Sequence, residues 1–532
     1  MSQIINFDKN GRDKLLLGVK TLAKVVKSTL GPGGRNCIFN VGAGTFVTKD
    51  GVSCALKVHP EDPIEAMGAD LIREASKKTA HIAGDGTTTS TLLTEAIAEE
   101  GCKMLASGLN AVSLQRGIMS AAKTICNYIR ENVKQPCTDE KLKHVALVST
   151  NWDTEIADLI SSALITVGPN GSVTVGDSHT SESTVQYMDG LQIDRGFMSH
   201  YFVNDQVKTR VVFERPLILL SEKKITNNAM LKPILSAAYQ YGKGERPLLI
   251  IAPDVEQEAL TTLVINKLKG IMNVCAIKCP GFGERQKDQM GDLEAALGGT
   301  YFSNIISRGF ETLKLEDFAS CERVVIDRDT TTFIAGAGSE ENIKNRITHL
   351  TDILNNNPES WQARLLKERI AKLSGGVAVV YVGASTEAEM HERQDRVDDA
   401  ICATRAALEG GIIPGGGATL AKLSKAKLNY ETGDYSFNIG VEIVRKSLTA
   451  PLRQLLVNAG IDSADMIINK VIKKPIDIGF NIKTGKFANL IVDGVIDPVN
   501  VTCAALENAA SIAGLILTTD CVICGTNIEE KK

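Results

Sequence analysis

Apolar residues recur at helical spacing between Asp13 and Leu30, at Leu16, Val19, Leu22, Val25, Val26 and Leu30, and Gly31-Pro32-Gly33-Gly34 closes the run. The pattern predicts a helix that runs into a glycine-rich turn. Residues 36–40 and 44–58 carry β-branched side chains on either side of Asp50-Gly51, which predicts a hairpin with Lys49 and Asp50 at its tip. Helical periodicity returns from about Ser90 to Leu105 and from about Val112 to Val133, where Leu114, Ile118, Ala121, Ile125 and Ile129 share one face. Pro136-Cys137-Thr138-Asp139 then breaks the pattern, so a boundary is expected near residue 133, followed by a helix over 155–167 and a strand over 171–175.

Between about 190 and 375 the character changes. Short apolar runs such as Leu217-Ile218-Leu219-Leu220 and Leu248-Leu249-Ile250-Ile251 alternate with helical stretches, the habit of a compact α/β domain. Asn355-Asn356-Asn357-Pro358 reads as a loop, with a helix from Trp361 to Leu373 after it. A strand from Gly376 to Val382 leads into a long helix over 386–409, and Pro414-Gly415-Gly416-Gly417 opens a second helix-rich section. The outer thirds match each other and differ from the middle. No repeat of 20 to 50 residues is visible.

Length and composition narrow the class without fixing the chemistry. The 532 residues suggest two to four domains with their own cores, and a profile of 43% hydrophobic, 23% charged and 5% aromatic residues is that of a globular chain with few rings for stacking on bases. A formal charge of −4 with no basic stripe argues against a nucleic-acid partner. The twelve cysteines occur singly apart from Cys521-Val522-Ile523-Cys524, which suggests a reducing compartment. The first ten residues lack a basic stretch followed by an apolar one, and no apolar run approaches the roughly 18 residues of a membrane span, so a cytoplasmic protein is expected; earlier removal of a transit peptide stays open.

Gly84-Asp85-Gly86-Thr87-Thr88-Thr89 is the stretch with most chemical content. Two glycines let the backbone bend around one carboxylate, and three threonines offer hydroxyls and N–H groups at the start of a helix, as a phosphate site requires. A carboxylate repels phosphate, so Asp85 suits that role only with a hard cation such as Mg2+ between them. The same residues equally suit a capped helix after a turn. No Walker A sequence is present, and the turns at Gly31–Gly34, Gly84–Gly86 and Gly415–Gly417 are each weak signals that gain weight together. Asp50, Asp398 and Asp399 are the acids to weigh for orienting an attacking water; the last two are helical neighbours about 100 degrees apart, so they need not share a face.

Other motifs point to packing. Cys521 and Cys524, three apart in a β-branched segment, would face opposite sides of a strand. The seven histidines show no HExxH and no zinc spacing, and Pro280-Gly281-Phe282-Gly283-Glu284-Arg285 reads as a loop. Leu231, Ile234, Leu235 and Tyr239, with Leu260, Leu263, Val264, Ile265 and Leu268, form two apolar stripes broad for helices covering one face of a small domain. They either leave an apolar groove exposed or lie under another layer.

Taken together, Thr29-Leu30-Gly31-Pro32, Thr48-Lys49-Asp50-Gly51-Val52-Ser53, Gly84 to Thr89, Arg396-Val397-Asp398-Asp399-Ala400, Gly415-Gly416-Gly417 and Asp497-Pro498 resemble the group I chaperonins of the GroEL type, in order and nearly end to end. The resemblance implies a multidomain α/β chaperonin fold: a helical equatorial ATP-binding domain (1–131 and 411–532), a small α+β intermediate domain (132–188 and 376–410) and an α/β apical domain (189–375). It implies an ATP pocket of Thr29, Leu30, Gly31, Pro32, Lys49, Asp85, Gly86, Thr87, Thr88, Thr89, Gly416, Asn481 and Asp497, with Asp85 nearest Mg2+ and K+ a second candidate ion. Asp399 becomes the intermediate-domain acid that serves hydrolysis and Asp50 its equatorial helper. Phe197, Tyr201, Phe202, Leu231, Leu235, Leu260, Val264 and Ile265 become the apical residues that bind unfolded polypeptides and a lid co-chaperonin.

The resemblance further implies an ATP-driven folding cycle in a seven-membered ring, single or double, with hinges near Pro136, Gly190, Gly375-Gly376 and Gly410-Gly411 and inter-ring contacts near Arg453 and Asp462. Three departures stand out. Gly33 replaces a usual basic residue, which would loosen phosphate contacts; the Gly-Gly-Met tail is replaced by Asn527-Ile528-Glu529-Glu530-Lys531-Lys532; and Glu245 and Arg246 fall in a short apical insertion. An ATP-independent holdase or scaffold and a small-molecule phosphotransferase are the rival expectations, against which stand the complete set Asp50, Asp85 and Asp399 and the absence of a recognisable small-substrate site.

Overall fold

The computed structural model describes residues 3–41, 44–150, 152–168, 171–178, 180–206, 208–303, 309–356, 363–384, 386–426 and 433–525. The expected loop at Asn357-Pro358, the helix start at Trp361 and the tail 527–532 fall outside these residues. The chain divides into two compact units, one of residues 1–162, 175–184 and 381–532, the other of residues 163–174 and 185–380.

The first unit is built on helices. Val499–Thr518 packs against Pro63–Ala83, Thr87–Leu105 and Ala111–Tyr128, and Asp8–Val26 packs against the first two of these. Val499–Thr518 is largely apolar because it is the core helix: Cys503, Leu506, Ala509, Ala513 and Ile516 are fully buried, while Glu507 reaches out to pair with Arg130. By length and composition it could cross a membrane, so the sequence expectation that no run reaches that length is corrected; its burial accounts for the composition. A long helix Glu387–Gly410 starts at the Thr386 cap, whose hydroxyl accepts the Glu389 N–H.

Two expectations about local structure change here. The hairpin pairs Cys37–Val41 with Gly44–Thr48, so Asp50-Gly51 is not its tip. Asp50 instead caps the helix Gly51–Lys57, its carboxylate accepting the N–H groups of Val52 at 3.2 Å and Ser53 at 2.6 Å. The helix Pro63–Ala83, to which the periodicity reading assigned no element, starts at Asp62, which accepts from Ile64 and Glu65 with Pro63 in the first turn. Cys521 and Cys524 behave as expected: in the strand Cys521–Gly525 the first is exposed and the second buried.

The second unit is α/β. Its main sheet runs in the order Val274–Lys278, Leu248–Ala252, Leu217–Ser221, Ala319–Ile326, Thr331–Gly336, Gly190–Ile193. The first three are parallel and the rest antiparallel. Leu217–Ser221 and Leu248–Ala252 are buried along their whole length, which explains why they read as continuous apolar runs. The helices Asn228–Gly242 and Gln257–Leu268 bury Leu231, Ile234, Ala259 and Leu263 on this unit's core.

Candidate nucleotide site

Two adjoining cavities in the first unit share Leu30, Gly31, Asp85 and Ser149. The larger, about 260 Å³, is also lined by Pro32, Gly86, Thr89, Gly416, Asn481 and Asp497. The smaller, about 120 Å³, is lined by Thr29, Lys49, Asp50, Thr87, Thr88, Glu392, Arg396 and Asp399. Every residue that the resemblance assigned to the nucleotide or to hydrolysis therefore lines one continuous cleft, although the sequence scatters them from position 29 to 497.

Backbone geometry makes the cleft. Gly31 at φ 74° turns the chain after the short 3-10 turn Lys27–Thr29, and the Asn458 side chain donates to Lys27 O and Leu30 O, both at 2.9 Å. Gly84 at φ 71° ends the helix Pro63–Ala83, Asp85 follows, and Gly86 at φ 86° starts Thr87–Leu105. The two helices are locked by Ser76, whose hydroxyl lies 2.9 Å from that of Thr91 and 3.2 Å from Thr87 O. Gly51 brings the Asp50 cap close to the threonines, since a Cβ there would lie 2.3 Å from the Thr88 hydroxyl oxygen. On the far wall, Ile412–Pro414 pairs antiparallel with Ile496–Pro498, setting Asp497 opposite Ile413 and beside the turn Gly415–Gly417. The Asn481 side chain accepts from Lys483 N at 3.0 Å and donates to Asp493 at 2.8 Å.

The electrostatics are those of crowded acids. Burial, then the charges of Asp50 and Asp85, raise Asp399 well above the ordinary carboxylate range. Asp85 is raised by burial and Asp50, against the pull of the Gly86 N–H. Asp497 is pushed up to about 7 by burial and Asp85, opposed by the N–H groups of Gly416 and Gly417. Lys49 is lowered by burial and Arg396, with Glu392 working the other way. Asp85, Asp399 and Asp497, each raised by burial and by the charge of a neighbouring carboxylate, form a site that favours a cation. With the threonine hydroxyls they offer hard oxygen donors, which fits Mg2+. Among the described residues no three His, Cys, Asp or Glu side chains converge as a ligand set, so Asp85 would share such an ion with phosphate oxygens and water.

A sequence model of the TCP-1/cpn60 chaperonin family matches residues 22–527. The chain belongs to that family. Among solved structures, the chaperonin gp146 of bacteriophage EL 2 (Pseudomonas aeruginosa) in the presence of ATP-BeFx matches 98% of this chaperonin and 99% of its own chain. The TM-score is 0.68 at 20% identity in one crystal form and 0.62 at 21% in another. The chaperonin fold is thus shared across nearly the whole chain.

Sequence reasoning missed part of the site. Glu392 and Arg396, an ion pair one helical turn apart on the helix that carries Asp399, line the smaller cavity; the i, i+3 spacing of Arg396 and Asp399 was the available signal. Trp152 and Lys483 line the larger one, and nothing local announces them. Arg453 pairs with Asp465 of its own chain.

In the second unit the eight residues assigned to polypeptide binding separate. Phe202 and Leu231 are 0% and 1% exposed and belong to the core, so their assignment to the contact surface is corrected: a side chain sealed under its own sheet has no face for a client. Phe197, Leu235, Leu260 and Val264 are half-buried against that core. Tyr201 and Ile265 are exposed, together with Leu268, Tyr239 and Ile271, which were not assigned.

Proposed function

We propose that this chaperonin binds ATP with Mg2+ in the cleft of the first unit, hydrolyses it, and uses the exposed apolar residues of the second unit to capture unfolded polypeptides. The observation that carries the reading is the convergence of Asp50, Asp85 and Asp399 on one cavity rimmed by glycine turns. Positive-φ turns at Gly31, Gly86 and Gly416 let backbone N–H groups approach phosphate closely. Asp85 and the threonine hydroxyls beside it would hold Mg2+, which would offset the negative charge of the phosphates. Asp399 and Asp50 face the same small cavity, where a carboxylate can orient water for in-line attack. The phage chaperonin studied with ATP-BeFx supports a nucleotide at this fold.

For the second unit, an apolar surface containing Tyr201, Ile265 and Leu268 suits the exposed hydrophobic side chains of a chain that has not folded. The family's habit supports assembly into a ring of copies, with seven members, one or two rings and a lid co-chaperonin as the finer reading. The domain division 1–131, 132–188, 189–375, 376–410 and 411–532 and rotation of these domains on ATP binding belong to the same proposal, as does a cytoplasmic location.

The test is turnover and binding of ATP in the wild type and in Asp399→Ala. The wild type hydrolyses Mg-ATP, and the variant binds it comparably while turnover falls by roughly 10²- to 10⁴-fold. Normal turnover in Asp399→Ala removes that residue from the chemistry. A wild type that captures unfolded chains without turnover would instead be a holdase.

A further inference from the structure

Trp152 stands in a backbone conformation that a bulky residue rarely adopts, with φ 68°. Its N–H donates to Leu147 O at 2.7 Å, and the Thr150 hydroxyl donates to Ala146 O at 2.8 Å and to Asp153 O at 3.2 Å, so the neighbouring backbone holds it there. Strain of this kind persists where the surrounding structure over-determines it, and it concentrates at ligand sites. In the wall of the larger cavity, the Lys483 ammonium lies in contact with the Trp152 ring, 4.0 Å from its centroid. The backbone that carries Lys483 is itself fixed, because Asn481 Oδ1 accepts both its N–H and that of Thr484.

Both residues line the larger cavity and neither lines the smaller one, which holds Asp50 and Asp399. They therefore belong to the part of the cleft that the hydrolytic acids Asp50 and Asp399 do not line. The same cavity is lined by Val148, Pro451, Leu455, Phe480, Ile482 and Val495, an apolar set that suits a flat heterocycle and not a phosphate. A ring held at such a wall, with a cation over it, is a platform for a nucleobase.

We propose that Trp152 contacts the nucleobase of the bound nucleotide and that Lys483, through its contact with the indole, positions Trp152 for it. This rests on the ATP reading above and adds to it the residues that read the base. Trp152 is thereby a binding residue and Lys483 a positioning residue.

The chain contains two tryptophans, so Trp361→Phe leaves Trp152 as the sole indole reporter in the full-length protein. Titration with ADP should then change Trp152 emission saturably. Trp152→Ala should raise the KM for ATP by about tenfold, more than it lowers kcat, while competition by inorganic tripolyphosphate, which has no base, stays unaltered. Trp152→Phe should recover most of the loss. Lys483→Ala should raise KM by about two- to fivefold, and Lys483→Arg should restore it; as Lys483 is exposed, this pair serves if Trp152→Ala does not fold. Saturable ATP turnover with Trp152 emission blind to ADP, or equal loss of ATP and tripolyphosphate binding in Trp152→Ala, would overturn the inference and leave the ATP reading standing. A wild type that neither binds nor hydrolyses Mg-ATP would remove both.

Discussion

Cys402 stands where a side chain on Gly84 would have to go: a Cβ built on Gly84 would lie 2.0 Å from the Cβ of Cys402. The contact joins the loop that carries Asp85 to the helix that carries Asp399, one turn before Cys402. A glycine is required here twice over, for its φ of 71° and for this approach. Gly84→Ala should therefore push the helix Glu387–Gly410 outward and displace Asp399 from Asp50 and Asp85. Displacements near 1 Å cost on the order of 100-fold in rate. Steady-state ATP hydrolysis by Gly84→Ala is expected to fall by at least about tenfold, with a smaller change in ATP affinity. Unchanged turnover would mean that the seating of this helix on Gly84 does not control Asp399.

The crowding of acids makes a prediction about pH. Asp497, pushed up to about 7 by burial and by Asp85, lies above the value of about 3.9 that an aspartate has in an unfolded chain. Between those two values the folded state binds more protons than the unfolded state, so stability falls as pH rises through that window and stays at its lower level above it. Asp497→Asn keeps an oxygen to accept from Gly416 and Gly417 but removes the charge. Without nucleotide, thermal melts at pH 8 should give Asp497→Asn a higher Tm than the wild type, by a margin worth roughly 1–3 kcal/mol, and the gap should close as pH falls toward 5. Parallel pH profiles would show that Asp497 carries no such burden.

How much of this was legible depended on whether the signal was local. Gly84 to Thr89 announced a tight turn and a helix start, and both are there. Asp50-Gly51 was misread because Asp-Gly serves a two-residue hairpin and a helix cap equally well; only the N–H groups of Val52 and Ser53 converging on the carboxylate decide it. Asp398 and Asp399 could not be separated by helical geometry. Asp399 is the one at the cavity, which depends on how the helix Glu387–Gly410 lies on Gly84, a long-range contact. Gly33 looked like a missing phosphate contact. The structure adds a packing requirement at this position, since a Cβ there would meet Asn458 O at 2.5 Å, the residue whose side chain holds Lys27 and Leu30. Trp152 had no signal at all, because a left-handed tryptophan is imposed by its surroundings and not by its neighbours in sequence.

The separation of the apical residues yields the last prediction. Ile265 is 44% exposed and Leu231 1% exposed, although both lie on apolar stripes at helical spacing. Periodicity reports that a stripe is apolar and leaves open which edge of it another layer covers. Replacing Leu231 with Ser removes a packed side chain and buries a hydroxyl, at a cost of about 3–5 kcal/mol, and its effect on polypeptide capture should follow its loss of stability. Replacing Ile265 with Ser changes a surface position, within roughly 0.5 kcal/mol of stability, yet should weaken capture of a chemically unfolded protein several-fold. Binding of the unfolded chain, measured beside thermal melts of both variants, separates the two. If Ile265→Ser keeps full capture, this exposed stretch of the helix Gln257–Leu268 is not the client surface, and the half-buried Leu235, Leu260 and Val264 would have to carry it.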